Sequence, residues 1–414
     1  MWNITKIFVV CCIVISSTGC EFSQNPEKRI DGEWFRSNLE HAHLNHWLAV
    51  STTPQGFFNT AVDRHWKLLE KQPGDLVGQT RTLYVMAAGY EVTGNPAYLE
   101  QVKSGADFLL THYRDPQFGA WFEAVASDGK VANSNKRLYS QAFAIFGLSH
   151  AYRVTRDKRY LDLAQQTWKE IEERFSDNQG GYRAAMNREM TESKQSNSQN
   201  PLMHLFEALL ALHEVSGSSD ALRGARKIGD FVIYDLLEGV EDGGAFIPEL
   251  YDQTWQPLPK AQGGRIDIGH QFEWAYLLGI GADHGLSPLY NDVADRLLKF
   301  AVKNGYDKIE SGVYSSLFSD GEIDRKKGYW QQAEALRAFM FHAVVRKRTD
   351  LAAYITQMTD LVRSEFVDAE NGGWRFYSRA ECNRSTCPNL QPDGYHMTAL
   401  HMEALRLKRT NTGG

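Results

Sequence analysis

Residues 138–175 read LYSQAFAIFGLSHAYRVTRDKRYLDLAQQTWKEIEERF and contain two helical patterns separated by the polar break TRDK at 155–158. The pattern before the break is apolar or small on nearly every side, whereas the pattern after it carries a charged face that includes Asp162, Lys169 and Glu173. A helix that is apolar all round is buried, and a helix with one apolar face borders water. The stretch therefore predicts a helical hairpin with an inner and an outer helix.

A turn that joins glycine to an aromatic residue recurs along the chain and divides it into similar units. Its glycines are 63, 62, 63, 68 and 61 residues apart, which gives six units. The turns are Gly56-Phe57, Gly119-Ala120-Trp121, Gly181-Tyr182, Gly244-Ala245-Phe246, Gly312-Val313-Tyr314 and Gly373-Trp374. We predict an all-α fold in which six hairpins, with short β-hairpins in the connecting turns, close into an (α/α)6 barrel. The alternative is an open superhelix of helix pairs, which favours capping repeats and a period of roughly 35–45 residues.

Polar residues stand near the start of most predicted inner helices, where burial without partners costs on the order of several kcal/mol each. Their reference positions are separated by 60, 63, 66, 61 and 65 residues, so a polar position recurs in every unit. These positions are Arg81, Gln141, His204, His270, Gln331 and His396. Because equivalent ends of inner helices meet at one end of a closed barrel, we predict a single pocket with three imidazoles, carboxylates, an arginine and aromatic rings.

The residue types in this pocket suit a sugar, whose ring has apolar faces edged by hydroxyls. We predict no metal, because the three histidines lack helical metal spacing, and His396 and His401 point in different directions around a helix. Glu273 and Glu334 would be the carboxyl pair of a glycoside hydrolase, but that interpretation leaves the histidines without a role. A pair of imidazoles is suited to move a proton at C2 of an open-chain sugar, which gives an epimer or a ketose.

The composition is that of a folded globular protein with no preference for polyanions. Of the 414 residues, 43% are hydrophobic and 23% are charged, and the formal net charge is −6. No run of like charges offers a surface for nucleic acid, so we predict no nucleic-acid partner. We predict a single catalytic domain over residues 33–408, after a linker at 21–32 and before a tail at 409–414.

The apolar run at residues 7–17 is too short to span a bilayer, which needs about 20 residues. It predicts a signal peptide over residues 1–20. The segment Thr18-Gly19-Cys20 resembles the lipobox of bacterial lipoproteins, in which the cysteine is acylated after cleavage. An ordinary signal peptide cut nearby is the alternative. In both cases we expect an exported chain, in the periplasm or at the outer membrane or cell surface, and in the first case a lipid anchor in a bacterial membrane.

Two cysteines remain beyond the predicted signal peptide, Cys382 and Cys387, in the segment CNRSTC. In an oxidising compartment, two cysteines that close a short polar loop favour a disulfide, since no other cysteine is available to complete a thiolate metal site. A pair of free thiols is the alternative.

Six segments resemble those of the N-acylglucosamine 2-epimerase superfamily, which includes cellobiose 2-epimerases and mannose isomerases. The most specific is GHQFEW at 269–274, which is similar to the family's Gly-His-x-x-Glu-Trp segment. The others are NPLMHLFEA at 200–208, YSQAF at 139–143, WQQAEA at 330–335, Tyr395-His396, and YDQTWQPLP at 251–259. The resemblance covers roughly residues 30–408 and implies an (α/α)6 barrel that acts on a reducing sugar, for which we expect no cofactor.

The resemblance also implies roles for the residues of the pocket. His270 and His396 are the expected acid/base pair, and His204 is a third imidazole that assists ring opening or holds the substrate. Arg81 is expected to stabilise the developing enediolate. The expected substrate-binding residues are Tyr139, Gln141, Asn200, Glu207, Glu273, Trp274, Trp330, Glu334 and Trp374. Trp374 is a candidate because residues 389–395 lack the tryptophan that cellobiose epimerases carry before their last histidine segment.

Our leading hypothesis is a sugar 2-epimerase or aldose–ketose isomerase that acts through an enediol intermediate. The alternatives are a glycan-binding lipoprotein without turnover and a glycoside hydrolase or lyase on the same barrel. The sequence leaves open which sugar is used, which product forms and the oligomeric state.

Overall fold

The computed structural model describes residues 25–191, 195–384 and 387–409. The predicted signal peptide, the predicted lipidation site Cys20 and residues 410–414 of the predicted tail lie outside the described residues. The described residues form fourteen α-helices: α1 (Gly32–Leu39), α2 (Asn45–Val50), α3 (Leu76–Thr93), α4 (Pro96–Phe108), α5 (Leu138–Thr155), α6 (Lys158–Arg174), α7 (Gln199–Ser216), α8 (Ser219–Phe231), α9 (Ile268–Asp283), α10 (Leu289–Gly305), α11 (Tyr329–Val344), α12 (Ala352–Leu361), α13 (Arg379–Arg384) and α14 (Tyr395–Arg409).

Six of these helices form a closed inner ring: α3, α5, α7, α9, α11 and α14. Each packs against the next in this order, and α14 packs against α3. Outer helices cover the ring, with α4 on α3, α6 on α5, α8 on α7, α10 on α9 and α12 on α11. The fold is therefore the predicted (α/α)6 barrel.

The last helix pair joins the two ends of the chain. The outer helix that packs on α14 is α1, and not a helix that follows α14 in the sequence. The simple succession of hairpins predicted from the repeats therefore holds for five pairs, whereas the sixth pair forms only when both ends of the domain come together. This arrangement seals the ring without a further helix.

The burial pattern of α5 and α6 shows how the sequence encodes one pair. Nearly every residue in the first four turns of α5 is buried, whereas the buried residues of α6 lie on one face: Tyr160, Ala164, Thr167, Trp168 and Ile171. Helix α5 ends at Arg156, whose φ of 60° is left-handed. The side chain of Asp157 then accepts the N–H of Arg159 and begins α6.

Buried glutamines at the start of four inner helices hold the recurring turns. The side-chain amide of Gln141 accepts the N–H of Trp121 at 2.9 Å and donates to its carbonyl oxygen at 3.0 Å. The same two bonds join Gln79 to Phe58, Gln271 to Ile247 and Gln332 to Val313. Each glutamine thus satisfies the polar backbone groups of a buried turn. This explains why the turns and the helix starts recur with one period.

Short antiparallel ladders lie in the loops before the inner helices, and three of the described strand pairs join neighbouring units. Their strands are β1 (Ala124–Val125), β2 (Val131–Asn133), β3 (Lys136–Arg137), β4 (Ala185–Met186), β5 (Asn197–Ser198), β6 (Glu238–Gly239), β7 (Ala245–Phe246), β8 (Leu250–Tyr251), β9 (Ile266–Asp267), β10 (Ser316–Leu317) and β11 (Ile323–Asp324). The pairs are β1 with β2, β3 with β4, β5 with β8, β6 with β7, and β10 with both β9 and β11. Because β3, β5 and β9 directly precede inner helices, the ladders fix the positions of these helix starts. We call this end of the barrel the mouth and the opposite end the far end.

The loop before α14 is fastened across the mouth. Tyr377 bridges to Gly328, which precedes α11, and Leu390 bridges to Asp63, which precedes α3. Within this loop the structure contains the predicted disulfide between Cys382 and Cys387, with Cα atoms 5.1 Å apart. None of the described helices combines the length and the apolar character that a membrane span requires.

Candidate active site

The polar side chains predicted to meet lie together at the mouth. Arg81 Nη2 donates to the hydroxyl of Tyr139 at 2.8 Å, and the rings of Tyr139 and His204 are 5.2 Å apart. His204 lies 6.0 Å from the ring of Tyr395, which in turn lies 4.7 Å from the ring of His396. Side chains from α3, α5, α7 and α14 therefore meet in one cluster at the mouth.

Trp330, at the start of α11, completes the ring of contacts. Its ring lies 4.9 Å from that of His270 and 5.5 Å from that of His396. The indole is half-buried, whereas both imidazoles are buried, each with 6% of its surface exposed. One aromatic face thus lies beside both members of the predicted acid/base pair.

His270 is held by a carboxylate that the sequence analysis did not identify. Its Nδ1 lies 2.7 Å from Glu249 Oε2, which also accepts from Gln199 Nε2 at 2.7 Å. Trp274 Nε1 donates to Gln199 and fixes that amide. Burial opposes protonation of His270, but the charges of Glu249 and Asp267 raise its pKa to about 9. His270 is therefore an imidazolium at neutral pH and donates Nδ1–H to Glu249.

The other two imidazoles are held in the same way by carboxylates of the inner ring. His396 Nδ1 lies 2.8 Å from Glu334 Oε1, and His204 Nδ1 lies 3.2 Å from Glu207 Oε2. The hydroxyl of Tyr395 donates to Glu207. Burial lowers the pKa of His204 to about 4, so this ring is neutral at pH 7. Among the described residues, none hydrogen bonds to Nε2 of His204, His270 or His396.

Arg337 connects two of these carboxylates. Its Nη1 donates to Glu334 at 3.2 Å, its Nη2 lies 3.8 Å from Glu207, and its guanidinium stacks on the ring of Tyr276 at 3.9 Å. Although burial opposes ionisation, Arg337 helps to hold the pKa of Glu334 and of Glu207 below their ordinary values. A continuous polar path therefore leads from one imidazole to the other through one guanidinium.

Glu273 has a different environment from every other carboxyl at the mouth. It is fully buried, and neither of its oxygens has a hydrogen-bond partner among the described residues. Burial and the nearby charge of Glu334 raise its pKa well above the ordinary value. Its Oε1 lies 4.0 Å from Nδ1 of His204. A neutral carboxylic acid in this position can donate a hydrogen bond.

Two groups of three side chains offer metal-ligand atoms within 4.8 Å of one another. They are His204, Glu207 and Glu273, and Glu273, Glu334 and His396. In both groups the imidazole Nδ1 already bonds to a carboxylate, and Arg337 places a positive charge beside Glu207 and Glu334. The imidazoles, Glu207 and Glu334 therefore have partners without an ion, whereas Glu273 has none among the described residues, and absence of a metal stays a prediction.

Arg81 is held in place by an ion pair and by aromatic rings. Its Nη1 donates to Asp393 at 2.8 Å, and its guanidinium lies 4.5 Å from the ring of Phe143 and 4.7 Å from that of Tyr395. Asp393 precedes α14, so the fastened loop supplies the counter-ion. A cation fixed in this way can stabilise negative charge on a bound substrate.

Gln141 and Trp274 were predicted to bind substrate, and the structure corrects both. Gln141 is fully buried, and both polar atoms of its amide bond to the backbone of Trp121. Gln141 on α5 corresponds to Gln79 on α3, so the residue that corresponds to Arg81 is Phe143. A shift of two residues turns a side chain by about 200° around a helix, which directs Gln141 away from the mouth. Trp274 is fully buried and supports Gln199.

Trp374 is a third correction, because it packs in the core. Only 2% of its surface is exposed, and its ring lies 6.4 Å from Phe366 and 6.1 Å from His401. By contrast, Tyr139 and Asn200 are half-buried and line a pocket of about 440 Å³ at the edge of the mouth. These two residues remain suitable for contact with a substrate.

Sequence reasoning missed Glu249, Asp393, Arg337 and the role of Tyr395. Glu249 and Asp393 lie outside the helices, in the loops before β8 and α14, where helical spacing gives no signal. Arg337 was open to prediction, since its offset of three residues from Glu334 places both side chains on one face of a helix.

Fold and site together define the class of (α/α)6-barrel sugar epimerases and isomerases. The chain belongs to the N-acylglucosamine 2-epimerase family, whose sequence profile matches residues 56–399. It is 24% identical to a cellobiose 2-epimerase of Dictyoglomus turgidum, over 82% of this chain and 89% of that protein. It is 28% identical to a D-mannose isomerase of Thermobifida fusca, over 75% of this chain and 79% of that protein.

A solved structure of cellobiose 2-epimerase from Bacillus thermoamylovorans has the same fold. It superposes with a TM-score of 0.81 at 21% sequence identity, and the match covers 91% of this chain and 98% of that one. The fold predicted from the repeats and the family predicted from the motifs are thereby confirmed.

Proposed function

We propose that this enzyme converts a reducing sugar into its C2 epimer or its ketose by proton transfer between imidazoles. The observation that supports the proposal best is the shared arrangement of the three histidines. Each bonds through Nδ1 to its own carboxylate and keeps Nε2 without a partner among the described residues. An imidazole held in this way has a fixed tautomer and an accessible nitrogen for proton transfer.

The charges at the mouth suggest a role for each group. In one direction, Nε2 of His396 takes the proton from C2 of the open-chain aldose, and the electrons of the C2–H bond pass to the C1 carbonyl oxygen. Arg81 stabilises the resulting enediolate. His270, an imidazolium at neutral pH, returns a proton to C2 from the opposite face, which gives the epimer. Transfer of the O2 proton to O1 and return of a proton to C1 instead give the ketose, with the carbonyl now at C2.

His204 and Glu273 fit supporting roles in this scheme. His204 is neutral and lies beside Tyr139 at the edge of the cavity, where it can exchange a proton with the ring oxygen or the O1 hydroxyl during ring opening. Glu273 is enclosed, and burial together with the charge of Glu334 raises its pKa, which disfavours a further negative charge beside the enediolate.

The geometry does not favour the hydrolase alternative. Glu334 is fully buried and engaged by His396 and Arg337, and Glu273 is fully buried as well. A glycosidase needs two carboxyl groups that reach opposite sides of the scissile bond. Both candidate carboxyls are enclosed, so neither is placed to do so.

Incubation of reducing sugars in deuterated water tests the proposal. We expect deuterium at C2 of glucose, mannose, N-acetylglucosamine or a short β-linked oligosaccharide, followed by NMR, with no change in product mass beyond the label. No label in any of these sugars would contradict the proposal, and a change in mass by water would indicate a hydrolase. Retention of exchange after dialysis against a chelator would support a cofactor-free reaction.

We also propose that the mature chain is exported and anchored through a lipid on Cys20, on the strength of the apolar run and the lipobox-like segment alone. Expression of wild type and Cys20→Ser, followed by cell fractionation, tests this. The wild type is expected in the membrane fraction and the variant in the soluble exported fraction.

A further inference from the structure

The far end of the barrel contains a second cavity of about 570 Å³ that the proposed reaction does not use. It is lined by the second halves of the inner helices, including His150 on α5 and Glu214 on α7. His150 lies eleven residues beyond Tyr139, and Glu214 lies ten residues beyond His204, which corresponds to about 15–16 Å along each helix. The cavity is therefore distinct from the mouth, and its volume is typical of sites for small molecules.

One wall of this cavity is aromatic. Tyr84, Phe146 and His150 form a cluster with ring centroids 4.5–5.0 Å apart. His150 is partly exposed, and no described residue hydrogen bonds to its ring nitrogens. Its imidazole can therefore offer one donor and one acceptor beside two aromatic rings. Such a combination fits a ligand with both an apolar face and hydroxyl groups.

Two sets of ion pairs border this cavity. Arg153 pairs with Glu214 at 2.6 Å and lies 3.9 Å from Glu91, and Arg406 makes two bonds to Glu403 at 2.6 and 2.7 Å. A charged ligand beside these residues would compete with their pairing. A neutral ligand with hydroxyl groups can hydrogen bond to the outer atoms of the paired guanidinium and carboxylate groups and leave the pairs intact.

We propose that this far-end cavity is a second binding site for an uncharged sugar. The ring of the sugar lies against Tyr84 and Phe146, and its hydroxyls bond to His150 and to the ion pairs. The inner wall of the cavity includes Glu207 and Arg337, which hold the imidazoles of the mouth. A bound sugar therefore alters proton transfer at the mouth, and this second part of the inference rests on the proposed function.

Binding is tested with a methyl glycoside, which cannot open its ring and cannot react. The probe is titrated into the full chain with ¹³C-labelled histidine, and the NMR signals of His150 and His270 are followed. We expect both signals to move, with different affinities. An unmoved His150 signal at saturation of the mouth would overturn the proposal.

Variants assign the two binding events. Ala211 lines the far-end cavity, and Ala211→Trp fills it, so the His150 shift should vanish while the His270 shift remains. Should that variant not fold, His150→Ala removes one aromatic contact and should weaken the second binding event about tenfold, as measured in that variant by isothermal titration calorimetry. An unchanged second event in His150→Ala would contradict the assignment.

The coupling between the far-end cavity and the mouth is measured by turnover, and this measurement separates the second-site proposal from the proposed function. At saturating substrate, methyl glycoside should change the kcat of the wild type about fivefold or more but leave that of Ala211→Trp unchanged. Movement of the His150 signal in a protein without turnover would support the second site and refute the proposed function. Turnover with an unmoved His150 signal would support the proposed function and refute the second site.

Discussion

The two ends of the inner ring use their carboxylates differently. At the far end, carboxylates pair directly with guanidinium groups, as in Glu403 with Arg406. At the mouth, two arginines also pair with carboxylates, but three carboxylates bond to imidazoles, and Glu273 has no partner among the described residues. Nearby carboxylates raise the pKa of His270, whereas burial lowers that of His204. The difference indicates that the mouth holds its side chains for proton transfer.

The largest expected effect comes from removal of an imidazole at the mouth. His270→Ala and His396→Ala should each lower C2 exchange by about 10²- to 10⁴-fold, because the proton loses its donor or acceptor. His213→Ala is the matched control, since His213 lies on α7 toward the far end. Exchange rates by NMR and circular dichroism spectra check the result. Comparable losses in all three variants would contradict the assignment of proton transfer to the histidines of the mouth.

A somewhat smaller effect is expected for the cation at the mouth. Arg81→Met removes the charge that stabilises the enediolate and should lower kcat by about 10²- to 10³-fold. The control is Arg348→Met, which removes a half-exposed arginine paired with Asp295 and Asp350. Its activity should match the wild type, since exposed ion pairs contribute about 0–1 kcal/mol. Equal kcat in both variants would mean that Arg81 does not meet the developing charge.

Arg337 is a positioning residue, and its replacement sharpens the comparison. Arg337→Met leaves two buried carboxylates without their shared cation, so we expect kcat to fall about 10- to 100-fold, as for other residues that orient catalytic groups. The midpoint of thermal unfolding should also fall. Arg337→Lys restores the charge and should recover part of kcat. A variant with lower stability and full kcat would show a purely structural role.

Glu249 controls the protonation of His270 and predicts a pH effect. The folded-state pKa of His270 is raised to about 9. His270 is therefore protonated below that value and loses its proton as the pH rises through it. Activity that needs this proton should therefore fall above about pH 9. Glu249→Gln removes the main charge that raises the pKa and should move this limit down by about 1–3 units. An unmoved limit would assign it to another group.

Gln141→Ala gives the smallest expected effect on turnover. Loss of the two bonds to Trp121 should lower the free energy of unfolding by about 1–3 kcal/mol, because buried backbone groups lose their partner. The KM should stay unchanged, since Gln141 does not face the cavity. Chemical denaturation and steady-state kinetics measure the two quantities. A raised KM at unchanged stability would restore the predicted role in substrate binding.

The sequence predicted the barrel because packing is periodic. Inner and outer helices differ in how apolar residues are spaced, and α5 and α6 display that difference directly. The histidines were found because each lies within the first two turns of an inner helix. Gln141 was assigned to the cavity because its position along the chain matched, although its direction around the helix did not. When equivalent positions are matched only to within two residues, the helical turn of a side chain is predicted, but the side of the helix on which it lies is not.

Other features depend on tertiary contacts that no local pattern contains. Glu249 reaches His270 from an irregular loop, and Asp393 reaches Arg81 from the loop before α14. The pairing of α1 with α14 joins residues that are far apart in the chain. Pairings of this kind follow from closure of the ring. The repeats predict that the ring closes, but not which residues then come into contact.

The most direct measurement is a pH titration of the histidine signals by NMR in the wild type. The account predicts that His270 titrates at about 9 and His204 at about 4, so that one imidazole at the mouth is charged and another neutral at pH 7. Both residues titrating together near the ordinary value of about 6.5 would contradict it.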